Sequence, residues 1–258
     1  MQPPPAPGDR FDGKLTSPRS DVIFVATAPA VQVLQRLTST IPIVIMESGD
    51  PVQAGIVQSL ARPGGNITGF QGFDRSINTK YLQLLKDIAP RTTRVAVVQT
   101  EATQTARQGS DFASVAVAAK LLAITPVALL VRDDAADIER AIAGFAQEPN
   151  GGLIMPQDNV VAKHRVLIGQ LALKHHLPLV AAFRLFVDAG GLMSYSAAPI
   201  DERLMAAYID RILRGAKPSD LPVVTRDKVN LVINLKTATA LGLTVPPSLF
   251  ALADEVIE

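Results

Sequence analysis

Three histidines, a few paired carboxylates and one arginine beside a phenylalanine are the residues whose types could do chemistry in this sequence. His164, His175 and His176 all fall on or just after one helical stretch. Eleven residues separate His164 from His175, about three helical turns and roughly 16 Å along the axis, too far for one metal ion. His175 and His176 point to different faces, so no His pair at helical spacing is present. Asp133-Asp134 sits where a helix begins, which is capping chemistry. There is no cysteine, so thiolate ligands, thiol nucleophiles and disulfides drop out together. A serine nucleophile would call for a GxSxG elbow, and none occurs. Gly64-Gly65 lacks the neighbours of a phosphate loop, neither GKS/T nor GxGxxG, and reads as a tight turn. No catalytic, metal or cofactor constellation is present.

The remaining polar residues suit binding better than reaction, and the elements decide which of them meet. From Asp21 onward, short β-branched apolar runs alternate with amphipathic stretches. Strands are predicted at 21–26, 41–46, 66–70, 94–99, 125–131, 152–155, 179–182, 192–195, 223–225 and 231–233. Helices are predicted at 30–37, 52–61, 78–88, 109–122, 134–147, 159–175, 183–189, 200–213 and 235–241. Buried strands alternating with such helices indicate an α/β protein with parallel sheets covered on both faces. The break at Ala89-Pro90-Arg91 divides two series. The expected organisation is a Pro-rich leader over 1–20, a first doubly wound lobe over 21–90, a second over 91–195, and a closing segment over 196–258 packing across both.

In such sheets ligands lie beyond the carboxyl ends of the strands, where helix N-termini present their N–H groups. That rule selects Thr27, Ala28, Glu47, Ser48 and Asp50 from the first lobe. From the second it selects Gln99, Thr100, Gln157, Asp158, Asn159, Phe183, Arg184 and Tyr195. Asp50 before Pro51 is also N-cap grammar, and one of Asp158 and Asn159 caps the helix after it. Phe183 and Tyr195 would stack on a flat ligand or fill the core, with Tyr195 the better placed because its hydroxyl favours a half-polar site. Arg184 would fork onto a carboxylate or stand in solvent. Asp50 or Asp158 would meet an amine.

Net charge sets further bounds. Lys plus Arg is 25 and Asp plus Glu is 24 in 258 residues, so the chain carries no field to hold nucleic acid. No apolar run reaches the length of a membrane helix, and MQPPPAPGDRFDGKLTSPRS has no apolar core of a secretion signal.

One stretch is more specific. Residues 41–70, IPIVIMESGDPVQAGIVQSLARPGGNITGF, resemble the ABC transporter substrate-binding protein family, whose better-known members bind aromatic amino acids. LPVVTRDKVNLVINLKTATALGLTVPPSLFALADEVIE resembles the closing segment of that family, and MPQDN and GGLMSYS resemble its second-lobe segments. The resemblance spans about residues 21–258. It implies a two-lobed type I periplasmic-binding-protein fold that closes by hinge motion on an amino acid or related carboxylate in an interlobe cleft. It also implies docking to an ABC permease, a periplasmic location and no catalysis. Family members begin with a secretion signal and a first β-α-β-α portion, where this sequence has the Pro-rich leader. The resemblance therefore implies a first lobe without its front, open to self-association through an exposed strand edge. Two other readings remain open: a truncated, non-exported paralogue, and a cytoplasmic ligand-sensing module.

Overall fold

A computed structural model describes residues 20–26, 28–47, 50–71, 77–106, 110–198, 201–225 and 228–258. The chain is α/β and divides into two units. The first holds the described residues of Met1–Asp74 and Ala197–Lys228, and the second those of Arg75–Ser196 and Val229–Glu258.

The first unit is built on a three-stranded parallel sheet in the order β1-β2-β3: β1 (Ile23–Val25), β2 (Ile43–Glu47) and β3 (Ile67–Gln71). On one side Val31 and Leu34 of α1 (Ala28–Leu37) pack with Ile43, Ile45, Ile56 and Val57. On the other, Val44 and Phe70 meet Tyr208 and Ile212 of a helix over Glu202–Leu213. Phe70 and Tyr208 sit with ring centroids 5.1 Å apart, and the Tyr208 hydroxyl donates to the Pro222 carbonyl at 2.9 Å. Tyr208→Phe keeps the ring contact and leaves that carbonyl unpaired. Calorimetry is expected to show a loss of about 1 kcal/mol, or roughly 2–4 °C in Tm.

The second unit carries a seven-stranded sheet in the order β10-β9-β8-β7-β6-β4-β5. Its strands are β4 (Arg94–Thr100), β5 (Thr125–Val131), β6 (Gly151–Met155), β7 (Leu179–Ala181), β8 (Met193–Ala197), β9 (Val229–Asn234) and β10 (Glu255–Ile257). The pairs β4–β5, β4–β6, β6–β7, β7–β8 and β9–β10 are all parallel. Alternation along β4 sends Val95 and Val97 to one face, with α2 (Ile77–Ile88) and α4 (Ser110–Leu121). Ala96 and Val98 go to the other, with α5 (Ala135–Phe145) and α7 (Arg165–Lys174).

Several elements differ from the sequence-based expectation. The division falls before α2 and not at residue 90, because Tyr81, Leu85 and Ile88 share a core with Val95 and Val97. The stretch 196–258 is split between the units at Lys228 and Val229. The expected helix over 52–61 is a series of turns in which Gly55 adopts φ 68°. Its apolar spacing is real, since Ile56 and Val57 are buried, but the left-handed glycine ends the helical path. The helix expected over 159–175 breaks at His164 (φ −92°, ψ 14°) into α6 (Asn159–Lys163) and α7. Segment 223–225 makes one bridge, Phe70 to Val224, where a strand was expected. Helix α3 (Glu101–Ala106), a helix over Pro247–Leu252 and strand β10 had no counterpart in that expectation.

Candidate functional site

In the second unit the carboxyl ends of β4, β6, β7 and β8 stand side by side. Three inter-strand steps of about 4.8 Å make the row roughly 14 Å long. Gln99 and Thr100 end β4, Gln157 to Asn159 follow β6, Phe183 and Arg184 follow β7, and Ser194 and Tyr195 lie within β8.

Asp158 ties two of these ends together. One carboxylate oxygen accepts from the Thr100 N–H (2.7 Å) and hydroxyl (2.8 Å), and the other from the N–H groups of Val160 (2.9 Å) and Val161 (3.1 Å). Thr100 in turn accepts from the N–H of Thr103, in the first turn of α3. Burial pushes the Asp158 pKa up, but the donors from Thr100, Val161 and Thr103 outweigh it and hold the carboxyl below its ordinary value. Of the two cap candidates, Asp158 is therefore the cap, and Asn159 is exposed as the first residue of α6.

Two buried polar atoms in this row have no partner among the described residues, Gln99 Oε1 and Ser194 Oγ. Gln99 is 1% exposed and Ser194 fully buried. An acceptor left unpaired in such surroundings costs about 1–3 kcal/mol, which makes both positions unusual. Strand alternation puts Gln99 on the face of Val95 and Val97. On that face Tyr195 meets Tyr81 edge to face, with ring centroids 6.5 Å apart. Burial, and the charge of Asp254, raise the Tyr195 pKa. At the first turns of α2 and α4, the Asn78 amide donates to Asp111 Oδ1 at 2.9 Å in a buried pair.

The other second-unit candidates are engaged elsewhere. Phe183 is half-buried against the core of α5 and α7. Arg184 forks onto Glu255 of β10, one arm at 2.7 Å, and reaches Asp188 at 3.4 Å. The Glu255 carboxylate holds the guanidinium pKa above its ordinary value. His164 pairs with Asp133 at 2.8 Å. Among the described residues no group of three His, Asp or Glu side chains is placed to hold a metal ion.

In the first unit Asp50 caps the turn after it, accepting from the N–H groups of Val52 (2.8 Å) and Gln53 (3.1 Å), and is exposed. Ala28 opens α1 and Glu47 ends β2. Thr27 and Ser48 lie outside the described residues.

Reasoning from the sequence missed Ser194, Tyr81 and the Asn78–Asp111 pair. Ser194 was within reach of the strand-end rule, but Tyr81 carried only the signal of an apolar helix position.

A family model described as ABC transporter substrate binding protein matches residues 12–257. The chain is 27% identical over 234 residues to a tyrosine-binding protein of Clostridioides difficile (strain R20291), an alignment covering 89% of this chain and 65% of that relative. The chain thus spans just under two thirds of that relative's length. Among solved structures, a conserved domain protein from Vibrio cholerae is 29% identical with a TM-score of 0.74, over 92% of this chain and 78% of the other. A ligand-free, open substrate binding protein with adhesive properties from Clostridium difficile is 26% identical, with a TM-score of 0.67 over 95% and 81%. An ABC domain from Streptococcus pneumonia in complex with L-Trp, 24% identical with a TM-score of 0.76 over 94% and 81%, shares the fold.

Proposed function

The chain belongs to the ABC transporter substrate binding protein family, and on that premise we propose that it captures an aromatic amino acid for an importer and hands it to a membrane permease. The tyrosine-binding relative supports the ligand class. The observation that carries the proposal is the strand-end row of the second unit, where Gln99 Oε1 is buried and unpaired on the sheet face that carries the Tyr81–Tyr195 ring pair. An amino acid supplies what the row lacks. Its ammonium donates to Gln99, and its ring lies against Tyr195. Asp158 fixes the row and does not touch the ligand, since four donors already fill the roughly four acceptor sites of a carboxylate. Thr100, Asn159, Phe183 and, in the first unit, Ala28, Glu47 and Asp50 frame the respective strand ends. The protein works outside the cytoplasmic membrane and performs no reaction, a reading supported by the family's description as substrate-binding proteins.

Titration of the full chain with L-tyrosine and L-tryptophan tests this. A micromolar Kd corresponds to about −8 kcal/mol. At a hundredfold excess over Kd the folded state gains about 2.7 kcal/mol, read as a rise in Tm. Gln99→Leu is expected to weaken binding at least tenfold. The same variant raises ligand-free stability by about 1 kcal/mol, because an unpaired buried amide is replaced by a similar apolar shape. A folded protein whose Tm moves with no amino acid, or a Gln99→Leu variant that binds as wild type does, refutes the assignment.

A further inference from the structure

The amino-terminal end of the seven-stranded sheet, one strand length away from the proposed solute face, holds a cavity of about 760 Å³. It is an open cleft lined by the loops that precede β4, β6 and β7 and by Leu241 to Thr244. Its volume falls in the range of small-molecule sites. Seven residues of β4 at about 3.3 Å each separate the two ends by roughly 23 Å.

The wall is shaped in advance. Asn150 (φ 59°), His176 (φ 52°) and Gly242 (φ 67°) stand in the left-handed region along it, and two of the three are not glycine. Such backbone costs free energy unless its surroundings impose it. Here the loops are closed by bonds from the Thr93 N–H to the Asn150 carbonyl (3.0 Å) and from the Leu177 N–H to the Ala172 carbonyl (2.8 Å).

Its chemistry is that of an anion site with an apolar floor. Ile88, Ala89 and Leu177 are buried beneath it. His175 lines the cavity, and its Nε2 is shielded from solvent without a hydrogen-bond partner among the described residues. Glu148, the carboxylate on the wall, is already paired with Arg94 at 3.2 Å. Arg91 has no ion-pair partner among the described residues and is exposed at the rim. The ionisable groups on the wall without a side-chain partner among the described residues are therefore the Arg91 guanidinium and the imidazoles of His175 and His176. We propose that this cavity is a second ligand site, taking a small organic carboxylate whose apolar body rests on Ile88 and Leu177 while its head meets Arg91 and His175. The assignment is independent of what the carboxyl ends of the strands bind.

Benzoate is the probe, followed through the ring signals of the three histidines in the full chain. His164, held by Asp133, is the internal control. Benzoate is expected to move the His175 and His176 signals along a saturable curve with a Kd on the order of 1 mM, leaving His164 in place. Saturating L-tyrosine leaves that curve unchanged. Arg91→Ala and the neutral analogue benzamide each weaken binding at least fivefold. Absence of a saturable shift up to about 50 mM benzoate, equal shifts at His164, or equal binding of benzamide overturns the proposal. Loss of tyrosine binding alone leaves it standing.

Discussion

Gly69→Ala is expected to unfold the three-stranded sheet of the first unit. Gly69 pairs with Ile45 in register, at φ 142°, where L side chains rarely fit. A Cβ built there lies 2.2 Å from the Ile45 carbonyl oxygen and 2.5 Å from its nitrogen. Both clashing atoms are backbone of the neighbouring strand, so no rotamer change relieves them. The Gly69 carbonyl also accepts from the Val224 N–H at 2.9 Å, which fixes the strand from its other side. Backbone strain of about 1–3 kcal/mol and overpacking of a similar size place the loss near 4 kcal/mol, a large part of the stability of a domain. Hydrogen exchange on the full chain is the direct readout. Amides of Ile43 to Ile45 lose protection in the variant, while those of β4 and β6 keep theirs. Stability within about 1 kcal/mol of wild type would show that the strands part without cost and that the close approach is not needed.

Gly69 also shows what the sequence signature means. Residues 50–69, the part of the chain that most specifically marks the family, are scaffold in the structure. Asp50 caps a turn, Ser59 and Arg62 bond reciprocally, and Gly64 and Gly65 turn the chain at φ 70° and 66°. Asn66 donates to the Ile41 carbonyl at 2.7 Å, and Thr68, fully buried, donates to the Leu221 carbonyl. Fixed spacing made the segment recognisable because each residue serves one backbone geometry. It says little about a ligand.

The alternation of β-branched runs with amphipathic stretches carried the α/β class, because a strand buried on both faces leaves that pattern whatever its neighbours are. Elements whose cause is tertiary left no such mark. The loop 51–60 buries Ile56 and Val57 without being a helix, and β10 is three residues of ordinary composition. The candidate site divides the same way. The strand-end rule reached Gln99, Thr100 and Asp158 because it needs only strand limits. The Arg184–Glu255 pair joins residues 71 apart, and nothing local in either segment announces the other.

Asp158→Ala is the second large effect, about 3 kcal/mol. The substitution removes the acceptor of four donors at once, two at a helix start and two at the end of β4. Loss of a cap costs about 1 kcal/mol, and loss of hydrogen bonds to a charged acceptor about 1.5–3 kcal/mol. A fall in Tm of roughly 6–12 °C follows for a chain of this size. Asp158→Asn separates charge from shape. Its oxygen still caps α6, while its amide turns a donor toward the Thr100 N–H. The sign of the pH dependence follows from a folded-state pKa held below the ordinary 3.8. The carboxylate contributes fully above that value, and its contribution fades as pH falls through the lower, folded-state pKa. The stability gap between wild type and Asp158→Asn is therefore constant from about pH 5 upward and closes in more acid solution. Denaturant titrations across that range decide the matter. A gap that persists unchanged into strong acid would mean that the contribution of Asp158 is steric, and that its charge does not hold the end of β4 against α6.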